Sequence, residues 1–351
     1  MTLSATELEA SSTAAVPVGT RHSRIPGVDA IRATAGFQRG MLVGGALIVL
    51  FFAVLAAFAP LIAPYGFNAD RSGGKIFGRQ QPPSAGHWFG TTSGGEDVLS
   101  RVVFGAQTAL EVIVLAVTLS IIVGVPLGLI SGYFGGWLDR ILVLVTDALF
   151  AFPSLLLAII ISIAVAGGTS SQAGGVLSAA ISITVVYVPQ YFRVVRNATV
   201  ATRAEPYVEA ARALGAPSGG VIRRYIFGNV VQTVPVIATL NAGDALLTLA
   251  GLGFLGYGIE PSAAAEWGHD LSQAVTNDVS NGIWWTGVYP GTAIALLVVG
   301  VTLVGESLND VLNPLLRTAK MTPVVMSEYE DVPELTGDPD SSRVELRKDS
   351  S

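Results

Sequence analysis

The sequence predicts an all-α protein that crosses a membrane six times. Three observations carry this expectation. Of the 351 residues, 51% are hydrophobic and only 13% are charged, about half the charge of an ordinary soluble domain. Apolar runs near 20 residues, the length that spans a bilayer at about 1.5 Å per residue, recur six times. The basic residues also fall in alternate loops, as the cytosolic side of a membrane protein requires.

The first run, about 41–63, follows a polar stretch, 1–40. It is too long for the apolar part of a signal peptide, so it is expected to remain as a span. Further spans are expected at about 106–130, 141–165, 175–195, 230–251 and 287–309. The chain then divides into a cytosolic tail (1–40), the first span with its outer loop (41–105), a core (106–317) and an acidic tail (318–351). That last tail is rich in Pro, Ser and acids and is expected to be disordered.

Of the 20 Lys and Arg, only Arg71, Lys75, Arg79 and Arg101 fall in loops that this topology places outside, provided both termini are cytosolic. The fourth loop alone holds Arg193, Arg196, Arg203, Arg212, Arg223 and Arg224. Loops 64–105 and 252–286 therefore face outward. The absence of cysteine excludes disulfides and thiol chemistry, and His22, His87 and His269 are too scattered to suggest a metal site. The net charge of −6 gives no reason to expect nucleic acid as a partner.

The charged fourth loop, about 197–228, contains "VEAARALGAPSGGVIRRYIFGNVV". Pro206 suits a first helical turn, and Glu205 and Glu209 complement the helix dipole there. Ala210, Ala211 and Ala213 favour a slim helix, and Gly215 is a natural stop. Pro217 and Ser218 can start a second helix, running through Ile222, Tyr225 and Ile226 into the fifth span. A short helical hairpin fused to a span can dock in a partner's groove, and it can equally be a helical loop with no such role.

This hairpin resembles the EAA loop of ABC-transporter permease subunits: Glu209, Ala210, Ala211, Gly215 and Ile226 match its pattern, and Gly228 stands where that family usually has Pro. The resemblance extends over roughly 85–317. "HWFGTTSGGEDVLSRVVFGAQTAL" is similar to the outer segment of the dipeptide, oligopeptide and nickel importer group, with Thr92 and Glu96 replacing an acid and an Arg. "GVPLGLISGYFGGWLD", "DALFAFPSLLLAI" and "GLGFLGYGIEPSAAAEWGHDL" look like its spans and a later outer loop. In the fifth span Asn241 and Leu249 replace acids usual in that group, and Asp244 replaces a Gly.

What the resemblance implies is a type I importer permease fold, one N-terminal helix plus a five-helix core, in the bacterial inner membrane. It implies a subunit that takes up dipeptides or oligopeptides, or within the same system nickel or another small solute. It implies a homologous second permease completing the path as a heterodimer, two ATP-binding subunits and an extracytoplasmic binding protein. Coupling to the ATPases would fall on Glu209, Ala210, Ala211, Arg212 and Gly215. Docking of the binding protein would involve Gly90, Asp97, Trp267 and Gly268. Trp267, Trp284 and Trp285 also read as interfacial belt aromatics.

No cofactor is expected on this chain. It has no G-x-x-x-x-G-K-[ST], since "GGK" at 73–75 continues with Ile76, so ATP and Mg belong on partner subunits. "GLGFLG", Gly251–Gly256, fits a dinucleotide fingerprint but lies at the end of a span, where small residues serve helix packing. "NAT" at 197–199 matches a glycosylation sequon on the cytosolic side.

Ionisable residues inside a membrane are functional candidates. Asp244 lies about 21 Å into the fifth span, with Asn241 one turn before it. The two could line a water-filled path and meet an ammonium group, or hold helices together. Asp147 and Pro153 in the third span are further path candidates, Pro153 through the kink it introduces. Asp147, Glu306 and Glu111 also suit structural pairing or snorkelling. An ion-coupled secondary transporter would want internal repeats, and none is evident. A membrane enzyme would want a nucleophile or metal constellation, and none is found either.

Overall fold

The computed structural model describes residues 36–165 and 175–312. The expectations for the acidic tail and for most of the N-terminal tail lie outside the described residues. Helix α1 (Gly36–Ala57) and the short α2 (Ala59–Ile62) form the first span. A segment expected to face outward follows. Its one hairpin pairs β1 (Arg71–Ser72) with β2 (Lys75–Ile76) across Gly73 and Gly74, both at positive φ, as a two-residue hairpin turn requires. These two strands are the departure from the all-α expectation.

The second span, α3, runs from Val98 to Phe134. It is about 55 Å long and exceeds the expected 106–130 at both ends. Asp97 caps it, accepting from the Ser100 amide at 2.8 Å and the Ser100 hydroxyl at 2.8 Å. The third span is broken. α4 (Gly136–Phe150) and α5 (Ser154–Val165) meet at 101°. Pro153 sits in the break, so the expected kink is there, but it is a near right angle that divides the span in two.

α6 (Gly175–Arg203) continues past the expected 195. The charged hairpin has α7 (Pro206–Ala213) as its first limb. The second limb is α8 (Ser218–Val221), a π stretch at Ile222–Ile226, α9 (Phe227–Val230) and a 3-10 turn at Val231–Thr233. α10 (Val234–Phe254) is the fifth span. A single even helix was expected through this limb; five residues of π-helix shift its register just before the span. After the fifth span, α11 (Trp267–Gln273) precedes a π stretch at Ala274–Asp278 and a 3-10 turn at Val279–Asn281, and α12 (Trp285–Leu312) is the last span.

Five of these helices are long and apolar enough to cross a membrane, six if the bent pair counts as one. The central contact is α3 against α6, and glycine makes it possible. A Cβ at Gly124 would lie 2.6 Å from the Tyr191 Cβ, at Gly128 2.8 Å from the Phe192 carbonyl, and at Gly132 2.7 Å from the Thr199 Cβ. Three glycines at four-residue spacing let the backbones close in, the device that replaces the hydrophobic drive where lipid is as apolar as protein. α1 packs on α12 in the same way, Gly45 against Leu303 and Gly300 against Ile48.

Candidate functional site

The hairpin divides into an inward and an outward face. Val208, Ala211, Val221 and Ile226 are buried against the bundle, whereas Glu209, Ala210, Arg212 and Ala213 are exposed. Leu214, at the tip, is 89% exposed, a bare apolar side chain that nothing among the described residues covers. The stop is a Schellman motif: the Ala216 amide donates to the Ala211 carbonyl at 3.1 Å and the Gly215 amide to Arg212 at 3.0 Å. Gly215 has φ +84°, which residues with a Cβ resist. Ala211 thus anchors the helix to its own bundle, while Glu209, Ala210 and Arg212 face outward.

A second set of contacts, which the sequence reading did not isolate, ties α6 to the α3–α4 corner. Arg196 holds both oxygens of Asp139 at 2.5 and 2.7 Å, and Ser131 donates to the same carboxylate at 2.5 Å. Arg203 donates to the Tyr133 carbonyl at 2.7 Å, near the C-terminus of α3, where a cation meets the negative end of the helix dipole. The hairpin therefore hangs from a braced corner. The run of arginines on the inner end of α6 was the available signal, though without its partners.

The broken span opens a groove of about 400 Å³ between α4, α5, α6 and α10. Asp244 lines it together with Tyr187, Gln190, Thr248 and Phe152. Tyr187 and Thr248 share a hydrogen bond of 3.0 Å, and Thr248 donates to the Asp244 carbonyl at 2.9 Å. No cation lies within 4.0 Å of the Asp244 carboxylate among the described residues. The other path candidates separate from it. Asn241, 1% exposed, is turned inward towards Tyr191 and does not line the groove. Asp147 pairs with Arg193 at 2.8 Å, and the Arg193 guanidinium stacks over Phe150 at 4.3 Å. Pro153 acts through the break it makes. Gln190 and Tyr187 were missed, although Gln190 is a polar residue in an apolar run.

The four residues expected to dock a partner, Gly90, Asp97, Trp267 and Gly268, are all buried within this chain. Asp97 caps α3 and pairs with His87 at 2.9 Å. Trp267 is not a belt aromatic. It donates to the Val102 carbonyl at 3.0 Å, meets Phe52 edge-on at 5.7 Å and rests on Gly105. Gly268 is pressed against the Ala250 backbone. They shape the outer segment from inside.

The "GLGFLG" stretch ends a helix, and its glycines admit a side chain. Glu266, 3% exposed, rests one carboxylate oxygen against Gly253 and Gly258, without a hydrogen-bond partner, while the other accepts from the Gly268 amide at 3.0 Å. Burial pushes its pKa up from 4.5 to about 8, so the folded protein keeps a proton that the unfolded chain releases. The resulting stability is complete below about pH 4.5 and is lost as pH rises to about 8. The thermal midpoint of the purified protein should fall across that window by the equivalent of a few kcal/mol, and Glu266→Gln should flatten the fall. Equal slopes for both proteins would refute the assignment.

Comparison with known proteins follows the same lines. Residues 124–318 match the family described as binding-protein-dependent transport system inner membrane component. Over 274 residues the chain is 37% identical to a dipeptide transport system permease protein of Alkalihalophilus pseudofirmus, covering 78% of this chain and 86% of that protein. It is 32% identical over 285 residues to a glutathione transport system permease protein of Pectobacterium atrosepticum, covering 80% and 89%. It is 35% identical over 284 residues to the protein of the same description in Escherichia coli, covering 80% and 88%.

Proposed function

We propose a function from one premise: this chain belongs to the family of binding-protein-dependent transport system inner membrane components. It is a multi-pass permease subunit of an ABC importer, and peptides are its substrate class. The observation that carries the substrate class is the pair of likenesses, one to a dipeptide permease and one to permeases of glutathione, itself a short peptide. The groove at Asp244 supports it, because an unpaired carboxylate in a polar notch suits an amino terminus.

In this reading the chain pairs with a second, homologous permease, and the groove faces that partner. Two ATP-binding subunits sit under the hairpin and an extracytoplasmic binding protein delivers substrate. ATP and Mg are held by those motor subunits. Glu209, Ala210, Arg212 and Leu214 meet the motor, Gly215 turns the chain back, and the brace of Arg196, Asp139 and Arg203 passes the motion to α3 and α4. The bundle then switches as rigid bodies between two packings. Purification in mild detergent should recover a second permease and ATP-binding subunits with this chain. Recovery of a homo-oligomer free of both would refute the assembly.

The basic asymmetry supports cytosolic termini and hairpin. Ser72 and Ser262 are exposed in the outer segment, and Ser218 is exposed in the hairpin. In this cysteine-free chain, single cysteines at 72 and 262 should react with an impermeant reagent in intact spheroplasts. A cysteine at 218 should react only after lysis, and the reverse pattern would invert the topology.

A further inference from the structure

We propose that a polar pocket in the outer segment receives a lysine or arginine side chain of the extracytoplasmic binding protein, an inference that rests on the orientation and partner read above. The pocket, about 440 Å³, lies between the residues leading into α3, the α11 region and the start of α12. One ion pair inside it is complete. Arg101, 4% exposed, donates to Asp270 Oδ1 from Nε at 2.8 Å and from Nη2 at 2.5 Å, and its Nη1 reaches the Phe67 carbonyl at 3.2 Å.

Two further carboxylates remain. Asp278 is 1% exposed and takes a 2.6 Å hydrogen bond from the Gln80 amide, a neutral donor that leaves its charge uncompensated. Glu96 accepts from the Thr92 hydroxyl. Neither has a cation within 4.0 Å among the described residues. Arg79 is exposed at the rim and forms no such pair, and burial holds the His269 pKa down, disfavouring its charged form. Thr286 also lines the pocket, 4% exposed, with its hydroxyl buried and unpartnered.

A buried carboxylate without a counter-charge is costly, and a buried hydroxyl without a partner adds to the cost. A multi-donor organic cation relieves both, because an ammonium brings three donors and a guanidinium five. Metal is a poorer fit: among the described residues no group of three or more His, Asp or Glu is placed to hold one. Substrate in transit is also a poorer fit, since the pocket shares no lining residue with the Asp244 groove. A protein that approaches from outside is the remaining source, and the family is defined by dependence on one.

The test is the affinity of the peptide-loaded binding protein for the complete importer in lipid nanodiscs, at low and high salt. Asp278→Asn and Glu96→Gln, which lie on different elements, should each weaken binding about tenfold at low salt. Each should also shrink the salt dependence. Asp70→Asn, an acid that is paired with Arg71 and does not line the pocket, should bind like wild type. Unfolding midpoints equal to wild type would show that the loss is not one of folding. Wild-type affinity in both variants overturns the pocket and leaves the transport reading standing, as does normal affinity with lost uptake, which would assign the pocket to substrate. A wild-type importer that binds no such protein overturns the transport reading itself.

Discussion

Gly215→Val and Glu209→Lys should each abolish the ATPase stimulation that loaded binding protein produces in the reconstituted importer, while the chain still inserts and assembles. The two changes strike different parts of one device. At Gly215 the backbone is left-handed, and a β-branched residue there costs roughly 1–2 kcal/mol. The turn closes through the Ala216 and Gly215 amides on Ala211 and Arg212, so strain at 215 loosens the last turn of α7. The inward anchor, Val208 and Ala211, stays in place, and what moves is the tip with Leu214. Glu209 is exposed on the outward face, and in the proposed docking its reversal would present a cation to a motor surface that receives an anion. Surface ion pairs are worth at most about 1 kcal/mol, but reversal also adds repulsion across a closed interface, where charge mismatch costs several kcal/mol. The measurement is ATP hydrolysis with and without loaded binding protein. Wild-type stimulation in both variants would remove the hairpin from the coupling path.

Much of this device is legible in sequence, because helix caps and stops are local chemistry. Pro206, the alanines and Gly215 specify α7 within its own eight residues and their flanks. The spans are legible for a similar reason, since lipid selects apolar side chains whatever they pack against. Their ends are less so. α3 begins eight residues before the expected 106 because its outer turns carry Arg101 and Ser100, whose polarity is satisfied by Asp270 and Asp97. Asp270 lies 169 positions away, and no window of sequence contains that partner.

The misreadings have the same origin. Trp267 has the composition of a belt aromatic, but its cavity is made by Phe52 on α1 and Gly105 on α3. Pro153 announces a kink but not its size: α5 turns by 101° and packs on α6 and α10. Asn241 and Asp244 are three residues apart, and spacing alone put them on neighbouring faces. Packing gives one to the core beside Tyr191 and the other to the groove. A residue's face on a helix is visible in sequence, but what that face meets is a property of the assembled bundle.

Asp244→Asn should lower uptake of peptides with a free amino terminus by about tenfold and change uptake of their N-acetylated counterparts far less. The carboxylate sits in the middle of α10 and opens on the groove beside Gln190 and Tyr187. A charge at this depth is costly to keep in a membrane, and no cation among the described residues lies within 4.0 Å to offset it. An ammonium passing through the groove would supply the missing partner, in a charge-assisted hydrogen bond worth about 1.5–3 kcal/mol, which is tenfold or more in rate or affinity. Asparagine keeps the volume and the acceptor oxygen but removes the charge, so packing is preserved and only the preference for a cation is lost. The ratio of uptake between free and acetylated peptide isolates that preference from any general loss of transport. If Asp244→Asn leaves the ratio unchanged, the carboxylate does not meet the substrate's amino terminus. It would then be assigned to the proposed contact between the two permeases, where Asp244→Asn should loosen their association in detergent instead.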